Sequence, residues 1–155
     1  MRKRPNSKFI LLTTFVIAVG IVIFVFPLTL FSPSQQAKNI VNAFYTYEQE
    51  AAFTESWELL HPLMQERWSK TAYITDRAHV FMGHFGVETF EFAVEDVGMV
   101  DSWKMTEDSP VLKDVYIFNV VQTYEGKYGK FHFSQAVYVV ETEDSWRILW
   151  DYSGG

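Results

Sequence analysis

Residues 70–103, KTAYITDRAHVFMGHFGVETFEFAVEDVGMVDSW, contain the change of period on which the fold turns. In the first half, Ile74, Ala78, Phe81 and Phe85 recur at i, i+4, i+7 and i+11, which predicts a helix over about 70–85. Ser69 stands where that helix begins, and Gly86 is suited to ending it because glycine accepts the left-handed backbone of a helix C-terminus. Beyond the glycine the period becomes two. Phe90, Phe92 and Val94 alternate with Glu91, Ala93 and Glu95, as on a half-buried strand. The phase shifts near Asp96, after which Val97, Met99 and Trp103 continue on odd numbers, and one extra residue at a β-bulge accounts for the shift.

Upstream of this stretch the helical period persists. Ala37, Ile40, Val41, Phe44, Ala51 and Ala52 predict a helix over 34–53, with Ser34 as its cap and a break in the stripe at Glu48. A short helix at about 54–60 presents Trp57 and Leu60, and His61-Pro62 opens a further turn with proline at its first position. Downstream the strands continue. Lys104 to Lys113 reads as a loop, Val115 to Tyr124 as a strand apolar on both faces, and 125–129 as a hairpin turn. Phe131 to Thr142 is a long strand, Glu143-Asp144 a tight turn, and Trp146 to Tyr152 the last strand. Helices first and an antiparallel meander second make an α+β domain, three helices packed on a curved antiparallel sheet.

The amino-terminal end has a different character. Arg2, Lys3, Arg4 and Lys8 precede 23 uncharged residues, Phe9 to Phe31, FILLTTFVIAVGIVIFVFPLTLF. A helix rises 1.5 Å per residue, so this run spans about 34 Å, enough for a hydrocarbon core of about 30 Å. It is too long for a signal-peptide apolar region, and no A-x-A site follows, so a retained anchor is the better reading than a cleaved leader. The basic cluster marks the cytoplasmic end, which puts residues 1–8 inside as a stub, 9–31 across the membrane as a signal-anchor, 32–36 as a short linker and 37–155 outside, close to the bilayer.

Removing the four basic residues of the stub leaves nine basic and nineteen acidic residues, a net charge of −10 for the outer part. A nucleic-acid partner needs a basic face and is not expected. The absence of cysteine excludes disulfides, cysteine-zinc sites and thiol nucleophiles, and in an oxidising compartment it is more typical of a Gram-positive surface protein. No phosphate-binding glycine loop, serine elbow, H-E-x-x-H or calcium loop is present, so no cofactor and no metal are expected. Asp76 and His79 are spaced i, i+3, but His84 points about 140° away from His79 round a helix, so the three do not read as a ligand set: His79 is expected on the solvent face paired with Asp76, and His84 in the last turn, where the helix dipole favours it.

The order of a long first helix, a short one, a third helix and a bent four-stranded sheet resembles the NTF2-like (cystatin-like) superfamily. The features that carry the resemblance are AKNIVNAFYTYEQEAAFTESWELLHP, YITDRAHVFMGHFG and the aromatic meander ending in SWRILWDY, together covering Ala37 to Tyr152. The resemblance implies a cone whose open end forms a pocket between the helices and the concave sheet face. It also implies two kinds of duty: isomerase or dehydratase chemistry by an acid and a tyrosine inside the cone, or a non-catalytic role in an extracytoplasmic domain on a membrane anchor.

Ten aromatic side chains crowd the helices and the last strand, Phe44, Tyr45, Tyr47, Trp57, Trp68, Tyr73, Phe81, Phe85, Trp146 and Trp150. Core packing explains most of them, and the remainder suit an apolar pocket with a few polar tips. Tyr45, Trp57, His61, His84 and Trp146 are the expected lining. On the far side of the sheet, Phe118 and Tyr138 are the expected interface, because an apolar face there needs covering by a second copy or a partner protein. The expected function is a non-catalytic binding or accessory role at the cell surface. An isomerase or dehydratase and a membrane-proximal ligand sensor are the alternatives.

Overall fold

The first helix owes its burial to spacing. Ala37, Val41, Phe44 and Glu48 follow one another at four, three and four residues, and all four are buried on one side of α1, Pro33–Gln49. In the computed structural model, which describes residues 15, 32–79, 89–127 and 129–153, Ser32 rather than Ser34 caps this helix, its hydroxyl accepting from the Gln35 N–H at 3.2 Å. Helix α1 stops four residues short of the expected 53. Ala51 takes a left-handed φ of 55°, and the Ala52 N–H closes back on the Tyr47 carbonyl at 2.8 Å. That turn brings Phe53 into the core at the start of α2, Phe53–Glu58.

Two capped helices follow. His61 caps α3, Pro62–Arg67, its ring Nδ1 accepting from the Leu63 N–H at 3.2 Å with Pro62 in the first turn. Ser69 caps α4, Lys70–Ala78, by accepting from the Ala72 N–H at 3.3 Å. The expected continuation of α4 to 85 and its stop at Gly86 lie outside the described residues, as does the expected anchor 9–31 apart from Phe15. Among the described residues no helix is long and apolar enough to cross a membrane.

The chain divides into a unit of residues 1–36 and a unit of residues 37–155. The second holds a four-stranded antiparallel sheet in the order β1-β2-β3-β4, with β1 Glu91–Trp103, β2 Leu112–Gly126, β3 Gly129–Glu141 and β4 Trp146–Leu149. The register of β1 against β2 shifts between Asp96 and Gly98, which is the bulge expected from the phase of the sequence. Gly98 has a φ of 138°, and Val97, the extra residue, is left exposed. The last strand is shorter than expected. It ends at Leu149, and on its outer edge Ile148 exchanges hydrogen bonds with the Leu59–His61 segment, at 3.0 Å to the Leu59 carbonyl and 2.9 Å from the His61 N–H.

Residues paired across an antiparallel sheet share a face. Phe92, Gln122 and Phe133 therefore share one face with Val94, Val120, Gln135, Phe118, Val137 and Tyr124. Tyr45 of α1 lies against that face, its ring 5.7 Å from Phe92 and its hydroxyl 3.2 Å from the Gln135 Oε1 acceptor. The opposite face is mixed, with Val115, Ile117, Tyr138, Val140 and Leu149 toward one end and a polar ladder toward the other. Ser134 donates to Asn119 Oδ1 at 2.7 Å, Asn119 donates to Glu95, and Thr123 lies 2.8 Å from the His132 ring nitrogen.

Candidate functional site

Glu48 sets the chemistry of the helical side. It is a carboxylate on the apolar stripe of α1, 3 % exposed, and a buried charge is tolerated only when it is paired and hydrogen-bonded. Each of its oxygens is engaged. Oε1 accepts from the Ser56 hydroxyl at 2.5 Å and from the Tyr73 hydroxyl at 2.7 Å. Oε2 accepts from Arg77 Nε at 2.5 Å and also from Arg77 Nη2. Tyr73 and Arg77 reach it together because they are i, i+4 on α4 and so occupy one face.

The electrostatics follow from that geometry. Burial weighs against the Arg77 charge, but the Glu48 carboxylate outweighs it and holds the guanidinium pKa above its usual value. Burial, with Glu48 adding to it, pushes the Tyr73 hydroxyl far above the ordinary phenol range. Burial likewise raises Tyr45 and Tyr124, with Arg77 opposing the shift in each. All three phenols stay protonated at any physiological pH.

Beside this network an open cleft of about 170 Å³ is lined by Trp68, Tyr73, Asp76, Arg77 and Trp150. Trp68 is held at its backbone and at its ring. Its carbonyl accepts from Trp57 Nε1 at 2.9 Å, and its own Nε1 donates to the Tyr152 hydroxyl at 3.2 Å. Arg67 stacks on the Tyr152 ring with its guanidinium carbon 4.0 Å from the centroid. The Arg77 guanidinium carbon stands 5.8 Å from the Tyr73 centroid and 5.8 Å from that of Trp150. Trp150 follows β4 and packs edge-on against Phe44 at 6.0 Å. Its Nε1 is buried without a hydrogen bond of ordinary geometry among the described residues, although it lies close enough to the Tyr45 hydroxyl to favour that group's ionised form weakly. Asp76 is exposed at the mouth.

Of the five residues expected to line a pocket, Tyr45, Trp57, His61 and Trp146 are not in the lining of this cleft, and His84 lies outside the described residues. Tyr45 is fully buried between α1 and the sheet, edge-on to Phe44 at 5.1 Å. Trp57 lies behind Trp68, half-buried, with Lys70 Nζ 5.3 Å from its ring centroid. His61 is a helix cap, and burial with Arg147 second lowers its pKa below 6.5. Trp146 packs edge-on against Tyr116 at 5.5 Å. Among the described residues, aromatic contacts pack against the helix-facing side of the sheet. Phe90 lies 5.2 Å from Tyr124, and Tyr124 stacks on Phe131 at 5.1 Å.

Nor do Phe118 and Tyr138 form the far-side patch that was expected. Phe118 is fully buried on the helix-facing side of the sheet, in register with Val137 and Asp96. Tyr138 is on the far face, but the Trp103 ring stacks on it at 4.1 Å and 11°. Met105 of the β1–β2 loop is buried, and its carbonyl accepts from the Tyr152 N–H at 2.9 Å, so the chain itself covers that end of the face. Asp76 and His79 are both exposed, and no group of three or more potential metal-ligating side chains is found among the described residues.

Of the cleft residues, Trp68, Tyr73 and Trp150 belong to the aromatic load visible in the sequence, whereas Arg77 and the buried Glu48 behind it were missed. The signal was present. Glu48 occupies a stripe position four residues after Phe44, where an acid requires a buried cation, and α4 carries one arginine. The small α+β fold with its curved antiparallel sheet is compatible with a cone-like architecture. No protein-family model and no curated protein matches this chain.

Proposed function

We propose that the chain is an NTF2-like binding module without catalytic duty, held outside the cytoplasm by a retained anchor over residues 9–31. Its ligand, or a side chain of its partner, enters the cleft of Trp68, Tyr73, Asp76, Arg77 and Trp150. The observation that carries this reading is the state of Glu48. An acid or base inside the cone must be free to exchange a proton with substrate, and both oxygens of this buried carboxylate are already occupied by Ser56, Tyr73 and Arg77. Among the described residues, aromatic rings pack against one another on the face of the sheet that the cone would enclose. Among the described residues, this open cleft is walled in part by indoles and braced from behind, which suits binding.

Ligand-observed NMR with a set of small fragments, on the full chain in maltoside micelles, tests the reading. Fragments that bind should lose contact with the protein when Trp150 is replaced by Ala. Hits that are indifferent to Trp150→Ala, or turnover of an added keto or hydroxy substrate, would overturn it.

A further inference from the structure

The cleft is not electrically neutral, although an arginine lines it. Arg77 is compensated by Glu48 directly behind it, with two guanidinium nitrogens converging on one carboxylate oxygen. Lys70 is paired with Glu58 at 2.5 Å, and Arg67 lies on Tyr152; neither lines the cleft. Asp76 is then the uncompensated charge of the lining. It is exposed, and no hydrogen bond or ion pair engages its carboxylate among the described residues. Trp68, Tyr73 and Trp150 complete the lining; the Arg77 guanidinium carbon already stands 5.8 Å from the Tyr73 and Trp150 centroids, and among the described residues no cation stands over the Trp68 ring.

We propose, building on the binding reading above, that this cleft receives a small organic cation, an ammonium group with an apolar body. Aromatic faces attract a cation through the negative potential above the ring, and tryptophan does so most strongly. A carboxylate at the rim supplies the counter-charge. The combination favours an ammonium over a neutral ligand of the same shape, and it repels a carboxylate or phosphate. The volume of about 170 Å³ is room for a headgroup with a few methyl groups. The lining also disfavours a free sugar. Tyr73 and Arg77 already direct polar groups at Glu48, so a ring of hydroxyls would surrender more hydrogen bonds to water than the walls return. The ammonium can come from a free amine or from a lipid headgroup at the adjacent membrane surface, and the two are separable by experiment.

The test uses the full chain in maltoside micelles and three probes of one shape: choline, its neutral carbon isostere 3,3-dimethylbutan-1-ol, and the anion 3,3-dimethylbutyrate. Indole 1H–15N shifts of Trp68 and Trp150 report occupancy. Choline should move both indoles with an affinity at least about tenfold better than that of the neutral isostere, and the anion should not bind. Asp76→Asn, an exposed substitution whose fold is checked by thermal unfolding, should bring choline down to the level of the isostere. Equal affinity for choline and the alcohol, tighter binding of the anion, or an unchanged choline affinity in Asp76→Asn would overturn the cation proposal. None of these three results touches the cleft itself, which the fragment experiment tests separately. Silence of both indoles toward all three probes also overturns the proposal. In nanodiscs with and without choline-headgroup lipid, competition confined to the lipid-containing discs assigns the headgroup as the source, and equal binding in both assigns the free amine.

Discussion

At the scale of single residues, the ionised pair inside the helical layer should be the most sensitive point of the molecule. Removing one partner of a buried ion pair strands the other, and such losses run to about 3–5 kcal/mol. Arg77 keeps some solvent contact, its side chain being 23 % exposed, so Glu48→Gln should cost about 3 kcal/mol in denaturant unfolding. The double variant Glu48→Gln with Arg77→Met should recover part of that loss, and a simple sum of the two single losses would show that the pair is not coupled. His61 offers a pH-dependent counterpart. Its Nδ1 accepts the Leu63 N–H, which the protonated ring cannot do, and its pKa is lowered below 6.5 by burial and by Arg147. The unfolded state therefore binds this proton more readily than the folded state. The contribution is fully present above pH 6.5 and declines as the pH falls through 6.5 toward the folded pKa. His61→Asn keeps a capping acceptor and should flatten the decline between pH 7 and 5 in thermal unfolding; an equal slope in the variant would assign the effect elsewhere.

At the scale of elements, the β1 bulge and the last strand carry the arguments. Gly98 adopts a φ of 138° with nothing within 4 Å of where a Cβ would stand. Gly98→Ala therefore meets no clash, only backbone strain, and a loss of about 1–3 kcal/mol is expected from chemical denaturation. A neutral result would mean that the bulge moves along β1 at no cost. Trp146 is nearly buried on β4 against Tyr116, so Trp146→Ala should cost about 3–5 kcal/mol. A change below about 1 kcal/mol would remove Trp146 from the core. Boundaries moved where hydrogen bonding overrode the apolar pattern. Helix α1 ends at the left-handed Ala51 although Ala51 and Ala52 extend the stripe, and β4 ends at Leu149 although Trp150 and Tyr152 keep its phase.

At the scale of the whole molecule, the proposed topology places the basic stub inside and residues 37–155 outside. Protease added to intact cells should remove the outer domain and leave the stub protected. Survival of the domain until the membrane is opened would reverse the orientation, and a soluble form beginning near Gln35 would mean that the leader is cleaved.

The sequence by itself determined the α+β class, the order of helices before strands, the hairpin at 125–129 and the bulge after Asp96. Each of these rests on local period and turn chemistry, which neighbouring residues specify among themselves. It also marked the charge asymmetry between the first eight residues and the rest. Only the tertiary structure decided which of two apolar registers of β2 faces the helices. Both read as plausible cores, and the choice that buries Phe118 is made by strand pairing and by α1 packing against Phe92 and Gln135. It alone covered Tyr138 with Trp103, a contact between residues 35 apart. The cleft belongs to the same class. Tyr73, Asp76 and Arg77 come from one helix, but Trp150 reaches them from beyond β4, and Glu48 neutralises Arg77 from α1. Contacts across such separations depend on how the layers pack, and no local pattern along the chain encodes that packing.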